Sequence, residues 1–185
     1  MIIKSLDADY QPRAEAHLDF SAVQDRHPVL RDFKSTLGDT PLREVVGRDH
    51  GAQILAKCEW ENPMGSIKDR VAYALVCDAL QRHGHRPLDK FRLLEYSGGN
   101  LAAALAQLGS MLGVDTRVVL SSASPPSLLD CLTTKGSQVE LVDKELGFLE
   151  VVRTGLRIAE TEPGWALLYQ HRNPVNLACH ELTTG

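Results

Sequence analysis

Lys68 stands in the run Glu61-Asn62-Pro63-Met64-Gly65-Ser66-Ile67-Lys68-Asp69-Arg70. Pro63 and Gly65 supply turn chemistry. Ser66 suits a helix N-cap, and Asp69 three residues later gives the acidic form of a capping box. Apolar residues recur at 71, 75 and 79 and at 72, 76 and 80, which predicts a helix from 66 to about 82 with one buried face. Lys68 then falls in the first turn, where the positive end of the helix dipole disfavours a second cation. A lysine serves as nucleophile or base in its neutral form, and this position favours that form. The plainer reading is an exposed surface lysine.

A second group is Glu95-Tyr96-Ser97-Gly98-Gly99-Asn100, at the carboxyl end of one predicted strand and the start of a helix. In open α/β sheets that edge binds ligands. The glycines let the backbone turn and approach a ligand closely, and free N–H groups at the helix start hold an anion. The G-x-G-x-x-G spacing of a dinucleotide site is absent. The plainer reading is a tight turn with Asn100 as N-cap. A third group, Gln170-His171-Arg172-Asn173-Pro174-Val175-Asn176, follows the last predicted strand, so all three converge on one sheet edge. His83-Gly84-His85 reads as a solvated loop, and Cys179-His180 as chance neighbours.

The elements that must position these groups follow from periodicity. Helices are predicted at 14–25 and 29–37, and turn chemistry at 38–42. A strand is predicted at 52–58 and the Lys68 helix at 66–82. From 91 onward strands at 91–95, 116–120, 138–142 and 165–170 alternate with helices at 101–112, 126–134 and 148–160. Gly113 stops one helix, and Pro125-Pro126 starts another. This alternation, with near-continuous apolar strands, predicts an α/β fold with a doubly wound, mostly parallel sheet.

The 185 residues, 43% hydrophobic and 24% charged, suit one ordinary domain or two small lobes. A net charge of −4 without a basic stripe argues against nucleic acid as a partner. No apolar run has the length of a membrane span. Residues 1–10 carry Asp7 and Asp9 and lack the apolar core of a secretory signal. Cys58, Cys77, Cys131 and Cys179 form no C-x-x-C pair, so neither a metal site nor a disulfide scaffold is expected. Free thiols and a cytoplasmic location are.

Taken together, Gly38-Asp39-Thr40-Pro41-Leu42, Lys57-Cys58-Glu59, the Lys68 run, the span from Glu95 to Ala106 and the span from Gln170 to Gly185 resemble the pyridoxal-phosphate-dependent cysteine synthase family. These are fold-type-II enzymes, with cystathionine β-synthase as a relative. The resemblance implies that residues 62–172 form the smaller lobe, which carries the cofactor lysine. Residues 1–61 would then be an N-terminal extension with the first strand of the larger lobe, and 173–185 the start of the return into it. Lys68 would form the internal aldimine with pyridoxal phosphate, and Asn100 would meet the cofactor's ring hydroxyl. Ser97, Gly98, Gly99, Asn100 and Leu101 would bind the α-carboxylate of an amino-acid substrate, with Gln170 beside them. The implied reaction is a transferase or lyase chemistry of cysteine biosynthesis. It is β-replacement on an O-activated serine through an aminoacrylate, with Lys68 moving the Cα proton.

Two departures stand out. The family's Thr-Ser-Gly-Asn-Thr-Gly loop is here Ser97-Gly98-Gly99-Asn100-Leu101-Ala102, so hydroxyls are lost at Gly98 and Leu101. At roughly 1.5–3 kcal/mol for each bond to a charged group, that is a loss of about a hundredfold or more in binding. Either backbone N–H groups and water compensate, or the substrate differs from that of a standard O-acetylserine enzyme; a changed substrate, such as O-phosphoserine, or β-replacement with an amine nucleophile is the favoured answer. The family's phosphate-cradling loop and the partner of its pyridine nitrogen lie beyond Gly185. The resemblance therefore implies the front part of a longer enzyme, a homodimer when complete, with most of the larger lobe missing here. The alternatives are a non-catalytic truncated paralogue, a partner-dependent binding module, or a serine/threonine dehydratase-like enzyme.

Overall fold

The computed structural model describes residues 18–45 and 53–184. Two short helices, α1 (Ser21–Arg26) and α2 (Pro28–Ser35), lead into an antiparallel strand pair, β1 (Leu42–Glu44) and β2 (Leu55–Lys57). Helix α3 (Lys68–His83) follows. The chain then alternates through β3 (Arg92–Tyr96), α4 (Asn100–Leu112), β4 (Thr116–Ser121), α5 (Pro126–Thr134), β5 (Gln138–Val142), α6 (Gly147–Thr161), β6 (Trp165–Leu167) and α7 (Pro174–Thr183). The strands β5-β4-β3-β6 form one parallel sheet in that spatial order.

Successive residues of β3 point to opposite faces. Leu93 packs in one core with Leu101, Leu105 and Leu108 of α4 and much of α3. Leu94 and Tyr96 pack in another with Val151 and Ile158 of α6. Helices thus cover both faces, and the doubly wound parallel arrangement read from the sequence is present. From β3 the chain moves to β4 on one side and returns through β6 on the other. The carboxyl end of β3 is therefore the switch point, where a crevice opens between diverging loops.

Helix α3 differs from expectation. Every residue from Asp69 to Leu80 is buried, not one face alone. It packs against α4 and α7, and α1 and α2 close over Tyr73. Phe20 meets the Tyr73 ring edge-on at 6.2 Å, Phe33 stacks on it at 6.3 Å, and Gln24 Nε2 donates to its hydroxyl at 2.6 Å. A helix enclosed on all sides carries small residues all round, and Ala72, Ala74 and Ala79 are such residues.

Several boundaries also move. The strand expected at 52–58 is only Leu55–Lys57, and it pairs with β1 rather than with the main sheet. The turn residues at 38–42 concealed β1. The start of the helix expected at 14–25 lies outside the described residues, and α1 begins at Ser21. The strand expected to reach residue 170 ends at Leu167. Leu168 still donates to the Leu94 carbonyl at 3.0 Å, but Tyr169 turns to a φ of 56° and the ladder stops. Gly113 does end α4, in a left-handed conformation that lets Val114 N–H reach the Gly109 carbonyl at 3.0 Å.

Candidate active site

The turn before α3 is held by a buried polar network. Arg70 donates through Nε and Nη2 to the Glu59 carboxylate, each bond 2.8 Å. Its Nη2 also reaches Thr40 Oγ1 at 3.2 Å, and its Nη1 reaches the Thr183 carbonyl at 3.1 Å. Asn62 Nδ2 donates to Glu59 Oε2 at 2.8 Å and to the Ser66 carbonyl at 3.2 Å, and Asn62 Oδ1 accepts Gly38 N–H at 3.0 Å. Gly38 has a φ of 91°, and a Cβ there would lie 2.9 Å from Arg70 Nη1, so glycine is required twice over. The guanidinium beside Glu59 holds its carboxyl down at about 2. The network ties residues 38–40, 59–62, 66–70 and 183 into one frame under Lys68.

The cap itself is a variant of the expected box. Ser66 Oγ accepts Lys68 N–H at 3.1 Å, and the Asp69 carboxylate accepts from Ser66 Oγ and from Met64 N–H. Asp69 is fully buried, and burial raises its pKa. Lys68 is the first residue of α3. It is half-buried, and its amine has no hydrogen-bond or ion-pair partner among the described residues.

At the switch point, Ser97 is buried and its N–H bonds the Val119 carbonyl at 3.0 Å, which continues the ladder one residue past β3. Gly98, Gly99 and Asn100 are exposed. Gly99, not Asn100, occupies the N-cap position, and Asn100 opens α4. The Asn100 amide is therefore not spent on capping. Leu101 is only 2% exposed and packs in the core beside Leu105. Its side chain is committed to packing, so any substrate contact at this position falls to its main chain. Gln170 lies against the end of β3: its Nε2 donates to the Tyr96 carbonyl at 2.8 Å, and its N–H donates to Glu95 Oε2 at 3.0 Å. His171 stacks on the Tyr96 ring at 5.4 Å, with Nδ1 3.1 Å from the Tyr96 hydroxyl.

Burial, and then the charge of Lys68, lower the pKa of both His171 and His180. Lys68 thus lies within electrostatic reach of the Gln170 loop and of the end of α7. The glycine loop and the Gln170 turn meet at the carboxyl end of β3, and the Lys68 charge is felt at His171 beside them; the strand before Lys68 lies outside that sheet, so the convergence expected of all three groups on one sheet edge does not arise from strand order. Among the described residues, no three His, Cys, Asp or Glu side chains gather to hold a metal ion, and all four cysteines are free. No helix there is long and apolar enough to cross a membrane.

Known proteins are similar to this chain in sequence and fold. A family model described as "Pyridoxal-phosphate dependent enzyme" matches residues 34–185. The chain belongs to this family of pyridoxal-phosphate dependent enzymes. Cysteine synthase B of Salmonella typhimurium is 32% identical over 158 residues, covering 84% of this chain and 51% of the relative. N-(2-amino-2-carboxyethyl)-L-glutamate synthase of Ralstonia nicotianae is 31% identical over 158 residues, covering 82% and 46%. A solved hydrogen sulfide-producing enzyme of Fusobacterium nucleatum superposes with a TM-score of 0.74 at 25% identity, covering 84% of this chain and 50% of that one. The chain spans about half the length of these relatives.

The residues fit the cofactor of the pyridoxal-phosphate dependent enzymes. Among the described residues the Lys68 amine has no hydrogen-bond or ion-pair partner, a Cβ at Gly99 would meet no atom within 4 Å apart from its chain neighbours, and Asn100 is exposed.

Three charged residues within the sequence motifs, Glu59, Arg70 and Glu95, carry no role of their own in the sequence reading. Only the fold brings Glu59 and Arg70 together. Glu95 acts at the other end of the site. It is 1% exposed, and its carboxylate accepts Tyr96 N–H at 2.9 Å as well as Gln170 N–H, which clamps the end of β3 to the Gln170 turn. Burial outweighs these bonds and pushes its carboxyl up to about 7. A carboxyl raised from 4.5 in the unfolded chain favours the fold below that pH, and the contribution is lost as pH rises through about 7. Glu95→Gln stays neutral throughout. The stability difference, wild type minus variant, is expected to fall by about 3 kcal/mol between pH 4.5 and 7.5. Urea unfolding across that range checks it, and a difference that does not move would show that Glu95 is ionised in the fold. Histidine titration cancels in the difference.

Proposed function

We propose that this chain carries the lysine half of a cysteine synthase-like enzyme, one that performs β-replacement on an O-activated serine-type amino acid. The carrying observation is the Lys68 amine at the start of α3, without a hydrogen-bond or ion-pair partner among the described residues and within electrostatic reach of the turn that holds Gln170. When bound, pyridoxal phosphate would act as the electron sink for charge that develops at the substrate Cα.

The chain's own residues take the other roles. Lys68 would hold the cofactor and then, freed, move the Cα proton through its Nζ. The Asn100 amide, not spent on a cap, would hydrogen-bond the cofactor's ring hydroxyl. Ser97 and the backbone N–H groups of Gly98, Gly99, Asn100 and Leu101, at the positive end of α4, would hold the substrate carboxylate. Gln170, fixed to the Tyr96 carbonyl, would close the other side of that carboxylate.

The division at residues 61 and 172 belongs to the same reading. It is supported by the β1–β2 pair, which stands apart from the main sheet and exposes Leu42, Val45, Ile54, Leu55 and Trp60. Helices α1, α2 and α7 nonetheless pack into the α3 core.

The test is chemical trapping on the full-length natural protein. Incubation with pyridoxal phosphate, borohydride reduction and peptide mapping should place a pyridoxyl group on Lys68. A modified lysine elsewhere, or none at all, would overturn the assignment.

A further inference from the structure

We propose that Ser124 supplies the hydroxyl contact to the carboxylate of the bound amino acid, replacing the one Gly98 lacks. The inference rests on the reading of residues 97–101 as the carboxylate-binding loop. A Cβ built on Gly98 would lie 3.2 Å from Ser124 Oγ, and among the described residues no other heavy atom outside positions 97–99 comes within 4 Å of it. The Ser124 hydroxyl therefore borders the space that a side chain at position 98 would enter. That separation is tighter than ordinary contact, so residues 98 and 124 compete for one small volume. A hydroxyl fits comfortably at one position or the other.

The placement of Ser124 is built rather than incidental. It follows β4 at the same carboxyl edge of the sheet, next to β3. Its N–H donates to the Ser121 carbonyl at 2.9 Å, while Ser121 Oγ accepts Ala123 N–H at 3.2 Å, so the turn is cross-braced. Pro125 and Pro126 then stiffen the entry into α5. The side chain is half-buried, and its hydroxyl has no hydrogen-bond partner among the described residues. A hydroxyl held on a braced turn with its bonding capacity unspent loses little entropy on meeting an anion. The O–H donates to a carboxylate oxygen, a charge-assisted bond.

The test is calorimetric titration of the full-length, cofactor-loaded enzyme with L-serine, and with ethanolamine as the analogue lacking a carboxylate. Ser124→Ala is expected to weaken L-serine binding about 10- to 100-fold and to leave ethanolamine binding and cofactor content unchanged. Ser124→Thr, which keeps the hydroxyl, should retain wild-type affinity. Adding Gly98→Ser to Ser124→Ala should restore L-serine binding, whereas Gly98→Ser with Ser124 in place should not improve it. L-serine affinity within twofold of wild type in Ser124→Ala, or equal losses for both probes, overturns the proposal and leaves the carboxylate-loop reading standing. A loaded wild-type enzyme that takes up neither probe overturns both.

Discussion

The full-length Lys68→Ala enzyme is expected to fold and to turn over at least about a thousandfold more slowly than wild type. The two halves of this expectation have separate causes. Lys68 makes no hydrogen bond or ion pair among the described residues, so its truncation removes no partnered group from the fold. It also removes a cation from the positive end of a long helix, which relieves roughly 0.3–1 kcal/mol of unfavourable interaction. Thermal unfolding should therefore occur at the same temperature as wild type or slightly above it. On the proposed function turnover would depend on the amine itself, since no other α-helix among the described residues begins on a lysine. Arginine keeps the charge but cannot act as nucleophile or base, so Lys68→Arg should be equally inactive. Steady-state kinetics with melting curves on the same preparations check both halves. Turnover within tenfold of wild type in either variant would remove Lys68 from the mechanism.

Arg70→Ala is expected to have the largest effect on stability, about 3–5 kcal/mol. Arg70 and Glu59 are 5% and 12% exposed, and removing the guanidinium leaves the carboxylate among polar groups arranged to serve an anion paired with a cation. The pH dependence of the intact pair gives a second route to the same scale. A carboxyl lowered from 4.5 to about 2 stabilises the fold above 4.5, and that stabilisation is lost as pH falls toward 2. The shift corresponds to about 3 kcal/mol. In Arg70→Ala the acid loss should largely disappear, because the pair that causes it is gone. Urea midpoints at pH 7 and pH 3 measure both. A cost below about 1 kcal/mol at neutral pH would mean that solvent reaches Glu59 freely. Because the network also holds the turn that carries Lys68, cofactor uptake should fall alongside stability.

What the sequence disclosed is whatever repeats or turns locally. The alternation of strands and helices after residue 91 emerged with boundaries within three residues, because apolar runs and Gly113 act over short spans. The Lys68 turn emerged because proline, glycine and a capping serine crowd into it. Strand β1 did not, since Pro41 and Gly38 mask three residues that pair only once β2 arrives. Nor did the direction of Leu101: position on a helix start leaves open whether a side chain meets solvent or core, and packing against Leu105 decides it. The Arg70 network was illegible for a different reason. Its partners are separated by 11, 30 and 113 residues, and no local pattern marks them. Ser124 was hidden likewise in a loop whose composition signals only a turn.

The all-round burial of α3 has a consequence for how the protein is made. The apolar helix is complete once His83 has been synthesised, but the helix that covers one side of it starts at Pro174. At about 5–20 residues per second of synthesis, that side stays uncovered for roughly 5–20 s. Strand β3 waits a comparable time with one edge unpaired, until β6 emerges. The newborn chain therefore passes through a sticky, half-wrapped stage at the ribosome. There, capture by chaperones competes with pairing to other nascent copies, and any delay before α7 has emerged lengthens the exposure.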